Sequence, residues 1–334
     1  MRVTSTVACL AGVMLAACGS DDVTAGPAAT ITALSGPTAA VVGQSITFSA
    51  AVSVAAAGSS APAASAVTFK DGASTLSCNP STVTSNVATC TTTITSAGTH
   101  SISAVFGGQL NYSASTSAAI SLSVLRASTS VTVSSSAASS TVGQSVTFTA
   151  VVGVTAPGTA VVPVSGSVFF TDGSTVLKTC MAQYVVNGST ICTASTLGVG
   201  THNITAFYLG DANYFPSPPS AAVSQAVRKG TPTVTVTAAQ TGGAGSAVQF
   251  TISVAGANNI APTGVVSVTA VGTSAVITTC TLSGTTANAS CSTSGTVSPG
   301  TSSFTASYPG DGSYAAATGT SAAVTVQSIS HLLP

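Results

Sequence analysis

One acidic residue recurs in a glycine-rich turn between two aromatic residues. The chain reads YLGDANY at Tyr208–Tyr214 and YPGDGSY at Tyr308–Tyr314, whereas the corresponding stretch Phe106–Tyr112 reads FGGQLNY. A carboxylate in such a turn could ligate a metal ion or act as a catalytic acid. Calcium would require about six to eight oxygen ligands, so a site at Asp211 would need further carboxylates nearby.

Further carboxylates are scarce in this chain. There is no Glu, and each repeat has at most one other Asp, which lies in a hairpin turn. The first copy of the motif lacks the Asp but keeps Tyr112. Because Gly accepts positive φ and Asp caps tight turns, conformational use explains the motif, with the Tyr ring covering one end of a domain. The motif therefore predicts a structural turn rather than a calcium site.

Histidine is the other residue type that could carry chemistry. His100 and His202 occupy the same repeat position at the start of a strand, where the third copy has Ser302, and His331 lies near the C-terminus. A catalytic triad needs Ser, His and a carboxylate that converge. The pattern indicates a polar residue at a strand start instead, and no phosphate loop, GxSxG or HExxH motif occurs. We therefore expect a non-enzyme without a metal or cofactor.

Composition limits the class of protein and its partners. Only 4% of the 334 residues are charged, the formal net charge is zero, and there is no Trp. Nucleic-acid binding depends on clustered Lys and Arg, so this composition argues against a nucleic-acid partner. Val and Thr, which favour strands, are plentiful, whereas charged helix formers are scarce. The composition predicts an all-β protein.

The chain contains three copies of one unit of about 100 residues, the size of a small domain. VGQSITF at Val42–Phe48 returns as VGQSVTF at Val142–Phe148 and, eroded, as AGSAVQF at Ala244–Phe250. Apolar and polar residues alternate after each of these marks, which predicts strands with one buried face. The predicted buried positions are Ile46, Phe48, Ala50, Ile102, Ala104 and Phe106 in the first copy, and their equivalents in the others. Asp71-Gly72 and Asp172-Gly173 predict hairpin turns, whereas the third copy has Val271-Gly272.

The order of these elements resembles bacterial immunoglobulin-like repeat domains. GQSVTF, a VTF strand followed by DG, a GTH strand, GDxNY and a closing strand occur in that order from about residue 28 to 327. The resemblance implies an all-β chain of three tandem immunoglobulin-like β-sandwich domains at 28–126, 127–229 and 230–327. It also implies a spacer or binding module of a surface protein or adhesin, and it does not identify a ligand.

The N-terminus predicts export and lipidation. Arg2 precedes an apolar run, and Leu15-Ala16-Ala17-Cys18 resembles the bacterial lipobox. The resemblance implies a cleaved signal peptide at 1–17, a lipid on Cys18, a lipidated tether at 18–27 and a tail at 328–334. Several acyl chains would make the membrane a partner, and Gly19 favours the outer membrane by the same resemblance. The alternative is an ordinary signal peptide with a chance Cys.

Six cysteines remain after Cys9 and Cys18 are set aside. They allow fifteen pairings, but the repeat selects one disulfide within each domain. An oxidising compartment permits these bonds, and the spacing does not fit a zinc site. We expect each bond to join neighbouring strands of a hairpin. The predicted pairs are Cys78–Cys90, Cys180–Cys192 and Cys280–Cys291.

The leading hypothesis is a lipid-anchored cell-envelope rod that serves as a spacer or adhesion module. Short linkers at Arg126-Ala127 and Arg228-Lys229-Gly230 predict a semi-rigid row of domains. The alternatives are a carbohydrate-binding lipoprotein and a subunit of a larger envelope assembly. If the chain binds a protein or glycan, large apolar residues in two loops of the second repeat, Tyr184 and Phe215, are the predicted contact patch. The competing interpretation is that both residues fold back onto their own domain.

Overall fold

The computed structural model describes residues 26–56, 62, 67–78, 81–243, 245 and 247–327. The predicted signal peptide, Cys18 and the tail at 328–334 lie outside these residues. Within the described part, no helix has both the length and the apolar character needed to cross a membrane.

The described residues form an all-β protein with three tandem immunoglobulin-like sandwiches, as the sequence predicts. The first repeat has one sheet in the order β1-β3-β7-β6; in the other, β4 lies between β5 and β8, and β9 adds to β8. The short β2 runs parallel to the end of β10. The strands are β1 Thr30–Ser35, β2 Ala39–Val41, β3 Ser45–Val54, β4 Val67–Asp71, β5 Ser74–Thr75, β6 Ser81–Thr84, β7 Val87–Thr93, β8 Gly98–Phe106, β9 Ser115–Thr116 and β10 Ile120–Leu125.

The second repeat has a similar plan, but its β16 pairs in the other sheet from the one that β6 joins in the first repeat. One sheet has the order β11-β13-β17, the other has the order β12-β19-β18-β14-β15, and β16 also pairs with β14. A 3-10 turn at Lys178–Cys180 links β15 to β16. The strands are β11 Thr129–Ser135, β12 Ser139–Thr141, β13 Val146–Val154, β14 Ser167–Asp172, β15 Thr175–Val176, β16 Gln183–Tyr184, β17 Ser189–Ala194, β18 Gly200–Tyr208 and β19 Val223–Arg228.

The third repeat departs from this plan at the edge of one sheet. Its sheets have the orders β20-β21-β24 and β23-β22-β26-β27, with a separate β25-β28 pair. The strands are β20 Thr233–Gln240, β21 Val248–Ala255, β22 Val265–Ala270, β23 Val276–Thr281, β24 Asn288–Gly295, β25 Gly300–Ser302, β26 Phe304–Tyr308, β27 Ala317–Thr320 and β28 Val324–Val326.

The alternation in the sequence correctly identifies the cores. Every predicted inward residue is buried, and the Phe and Tyr residues among them are at most 1% exposed. In the third repeat, Phe250 and Phe304 meet edge to face with ring centroids 5.0 Å apart. The Asp-Gly turns predicted after β4 and β14 are present, with positive φ at Gly72 and Gly173. The period-two pattern works because successive strand residues point to opposite faces.

By internal contacts, the chain divides into two compact units. Most of the first repeat forms one unit. The second and third repeats form the other, together with the segments Ala39–Ser45 and Thr93–Thr99.

The three disulfides pair as predicted, but the expected hairpin geometry is wrong. Cys280 lies on β23 and Cys291 on β24, which belong to opposite sheets, with Cα atoms 5.9 Å apart. In the other repeats, Cys78 and Cys180 follow β5 and β15, whereas their partners lie in the opposite sheet. The chain crosses between the sheets after the first Cys of each pair. Each bond therefore ties the two layers of a sandwich together.

Candidate functional site

The acidic turn of the second repeat uses its carboxylate to hold its own domain together. Asp211 Oδ1 accepts hydrogen bonds from the backbone N–H groups of Asn213 and Tyr214, at 2.8 and 2.9 Å. Its Oδ2 accepts from the backbone N–H and the hydroxyl of Ser165, at 3.1 and 2.8 Å. Burial opposes ionisation, but these hydrogen bonds outweigh it and lower the pKa of Asp211. The carboxylate therefore fixes both the turn and the loop that precedes β14.

The third repeat repeats this arrangement. Asp311 Oδ1 accepts from the N–H groups of Ser313 and Tyr314, at 2.7 and 2.8 Å, and Oδ2 accepts from the N–H and hydroxyl of Thr263, at 2.8 and 2.9 Å. Burial again opposes ionisation, but the hydrogen bonds lower the pKa of Asp311 to about 2. Four donors occupy a carboxylate that has about four acceptor positions. The geometry supports a structural turn.

The aromatic residues that flank the turn are core residues. Tyr208 and Tyr308 are buried, and Phe106 fills the same place in the first repeat without a hydroxyl group. Tyr214 is also buried and donates a hydrogen bond from its hydroxyl to Val162 O at 2.9 Å. Gly210 has φ +82°, and a Cβ there would lie 2.8 Å from Tyr214 O. The turn and its flanking aromatic residues thus close one end of the sandwich core.

The turn also holds the first residues of each repeat. The predicted first residue of each repeat forms a parallel bridge with the Tyr that ends the motif: Ala28 with Tyr112, Ala127 with Tyr214 and Gly230 with Tyr314. The basic residues immediately before the second and third repeats contact the acidic turn. Arg126 Nη1 donates to Asp211 O at 3.3 Å, and Lys229 Nζ donates to Asp311 O. Each of these cations therefore donates a hydrogen bond to a backbone carbonyl group of the turn.

The structure brings together an Asp–His pair whose two members are separate features in the sequence. His202 Nδ1 lies 2.6 Å from Asp172 Oδ2, and the backbone N–H of Asn203 donates to Asp172 Oδ1 at 3.1 Å. His100 and Asp71 form the same pair in the first repeat, also at 2.6 Å. The sequence contains one signal for this pair. The two repeats that have the His also have the Asp-Gly turn, and the third repeat lacks both.

Asp172 and His202 are residue types found in a catalytic triad, but their contacts here stabilise the domain. His202 Nε2 lies 2.8 Å from Gly198 O, which is an acceptor. Both ring nitrogens therefore face acceptors, so the imidazolium form satisfies both contacts. Burial lowers the pKa of His202, but the hydrogen bonds to Asp172 and Gly198 outweigh it and raise the pKa above 6.5. Because acceptors engage both ring nitrogens, neither nitrogen is free to take a proton from a nucleophile.

The two residues of the predicted contact patch have different surroundings. Tyr184 is 81% exposed and lies on β16, where it pairs with Ser167 at the start of β14. Phe215 is 38% exposed, and the Arg126 guanidinium lies 4.5 Å from its ring centroid. Across the described ranges, His, Cys, Asp and Glu do not form a group of three or more that could hold a metal ion.

Comparisons with known proteins identify the family. No curated protein matches the chain. Among solved structures, it is similar to a tetra-tandem repeat from the extending region of a large adhesion protein, with 15% identity over 90% of this chain and 74% of that one, and a TM-score of 0.35. It is also similar to the Escherichia coli adhesin FdeC, with 15% identity over 88% of this chain and 96% of that one, and a TM-score of 0.27. The model of the bacterial Ig-like domain (group 3) matches residues 31–125 and 132–228, and the chain belongs to this family.

Proposed function

We propose that the chain is a non-catalytic, lipid-anchored protein of the cell envelope whose Ig-like domains act as a surface spacer and adhesion module. The observation that carries this proposal is that the Asp and His side chains serve the structure of the domains. Within the described ranges, every Asp and His side chain makes hydrogen bonds inside its own domain. This structural use of the carboxylates and imidazoles supports a non-catalytic role.

The contacts between the second and third repeats support a stiff spacer. Asn258 Nδ2 donates to Val142 O at 3.0 Å, so a loop of the third repeat binds the VGQ turn of the second. Gly143 in that turn lies against the same loop, where an added Cβ would be 2.7 Å from Ile260. Contacts of this kind restrict bending between two domains that have almost no linker.

The predicted lipid on Cys18 supplies the anchor in this proposal, and the envelope or cell surface is the proposed location. The family is bacterial, and two of the similar structures are described as adhesion proteins. The expected partners are therefore the membrane, through the lipid, and a protein or glycan outside the cell.

Substitution of the predicted anchor residue tests the proposal. Cys18→Ser should release the protein from the membrane fraction, and protease treatment of intact cells should degrade the wild-type chain. Cys9→Ser, within the same segment, is the matched control and should leave anchoring unchanged. Cells that carry the wild-type protein should attach to host matrix or glycan surfaces better than cells that carry Cys18→Ser. A Cys18→Ser protein that stays fully membrane-bound would contradict the anchor.

A further inference from the structure

The second repeat carries aromatic side chains on the outer face of its β14–β18 sheet. Phe169 and Phe207 are directly opposite each other on adjacent antiparallel strands. Their neighbours Val168 and Phe170 are fully buried, so the two Phe side chains face outward, and both are partly exposed. Tyr184 extends the same face from β16. We refer to Phe169, Phe207 and Tyr184 together as the aromatic face.

The fold does not require this face, as the other two repeats show. The first repeat has Thr68 opposite Val105 at the positions of Phe169 and Phe207. The third repeat has Ser267 opposite Ser307. At that place the third repeat has an open depression, which is lined by Val265, Ser267, Ser307, Pro309, Thr318 and their neighbours. Large outward aromatic residues occur at these positions in the second repeat alone of the three.

The outward residues of β14 and β18 beside the aromatic rings are polar and uncharged. Thr171 and Thr205 form the next outward pair beside Phe169 and Phe207, with their hydroxyl oxygens 2.7 Å apart. Asn203 lies further along β18 and is exposed. On the two strands, the outward residues are Ser167, Phe169, Thr171, Thr201, Asn203, Thr205 and Phe207, and none of them carries a charge.

We propose that the aromatic face binds a neutral polysaccharide. A pyranose ring has an apolar face of C–H groups that can lie on an aromatic ring, whose π face is negative. The hydroxyl groups at the rim of the sugar can bond to the Thr and Asn side chains beside the rings, the combination of apolar contact and a few polar groups that is typical of ligand sites. The open sheet surface suits a chain of sugars.

The lack of charge favours this ligand over other classes. Anionic lipids and nucleic acids are bound through Lys and Arg, and neither lies on the outward side of these strands. Protein contact surfaces are usually rimmed by charged groups that set specificity, and the outward residues of β14 and β18 include none. The proposal deepens the proposed surface function by naming a ligand class, and it rests on export of the chain.

The test uses the purified full chain and immobilised neutral polysaccharides, namely β-1,4-glucan, β-1,3-glucan, mannan, galactan and chitin. The wild type should bind at least one of them, with little dependence on salt concentration. Phe169→Thr combined with Phe207→Val introduces the residues of the first repeat, and Tyr184→Ser shortens the third aromatic side chain. Each variant should bind at least about tenfold more weakly than the wild type.

A control variant removes apolar surface from the opposite sheet of the same domain. Val151 and Ile191 are 49% and 56% exposed, and the first repeat has Ala51 and Thr89 at these positions. Val151→Ala combined with Ile191→Thr should melt like the wild type and bind the polysaccharide equally well. Equal loss in the control and aromatic variants would overturn the proposal.

Two further outcomes would also overturn the proposal. In one, the wild type binds none of the polysaccharides; in the other, it attaches to protein-coated surfaces through the same three residues. Neither outcome would alter Cys18-dependent anchoring, so failure of the ligand assignment is distinguishable from failure of the proposed function.

Discussion

Asp311→Asn isolates what the acidic turn contributes to stability. The substitution keeps an oxygen that can accept from Ser313 and Tyr314, but it places an NH2 group where Oδ2 accepts two hydrogen bonds from Thr263. Asn also removes the negative charge. The third repeat should therefore unfold more easily while its fold is kept.

The pKa of Asp311 sets the size and the pH dependence of this effect. A fall from the ordinary value of 3.8 to about 2 corresponds to about 2.4 kcal/mol in favour of the folded state. Because the side chain is partly exposed to solvent, about 1–2 kcal/mol is the realistic range. A carboxylate with a lowered pKa stabilises the protein above pH 3.8, and this contribution is lost as the pH falls through about 2.

Scanning calorimetry of the full oxidised chain measures the difference. At pH 7, Asp311→Asn should lower the melting temperature of the third repeat by about 4–16 °C, given about 4–8 °C for each kcal/mol in a domain of this size. At pH 2 the difference between variant and wild type should shrink by half or more. Asp211→Asn should act in the same way on the second repeat, whereas the first repeat, which has Gln109 instead, should not respond. An equal difference in melting temperature between variant and wild type at pH 7 and pH 2 would refute this account of Asp311.

Three other predictions follow from the contacts inside the domains. His202 has a raised pKa, so its bond to Asp172 stabilises the second repeat below pH 6.5 and weakens as the pH rises through that higher value. The wild-type second repeat should melt at a higher temperature at pH 5.5 than at pH 8.5, and His202→Ser should abolish this difference in calorimetry; a variant that keeps it would contradict the assignment. Reduction of Cys280–Cys291, which closes a separation of 11 residues, should lower the unfolding free energy of the third repeat by about 3 kcal/mol. Urea unfolding with and without reductant measures this, and an unchanged midpoint would argue against an intersheet tie. Tyr314→Phe removes a hydroxyl that lies 2.7 Å from Ile260 O and should cost about 1–2 kcal/mol in the same assay, while an unaltered midpoint would mean that water replaces it.

Local patterns in the sequence were sufficient for the architecture. The alternation around Phe48, Phe148 and Phe250 identified the buried face of each strand, because that alternation is a property of the strand itself. The recurrence of Cys residues about 100 positions apart selected the disulfide partners, because equivalent positions in repeats occupy equivalent places in a fold. The acidic turn was also predictable, since Gly, Asp and Tyr act there over a few adjacent residues.

The tertiary structure decided which distant residues meet. Asp172 and His202 are 30 residues apart, and only the pairing of β14 with β18 brings them together. The chain crosses between sheets before Cys291, so the disulfide joins two sheets rather than two strands of one hairpin. Phe169 stands beside Phe170 in an apolar run, and the run alone does not show which ring faces the solvent. The structure settles this, because Val168 and Phe170 are fully buried and Phe169 lies with Phe207 on the opposite face of the sheet.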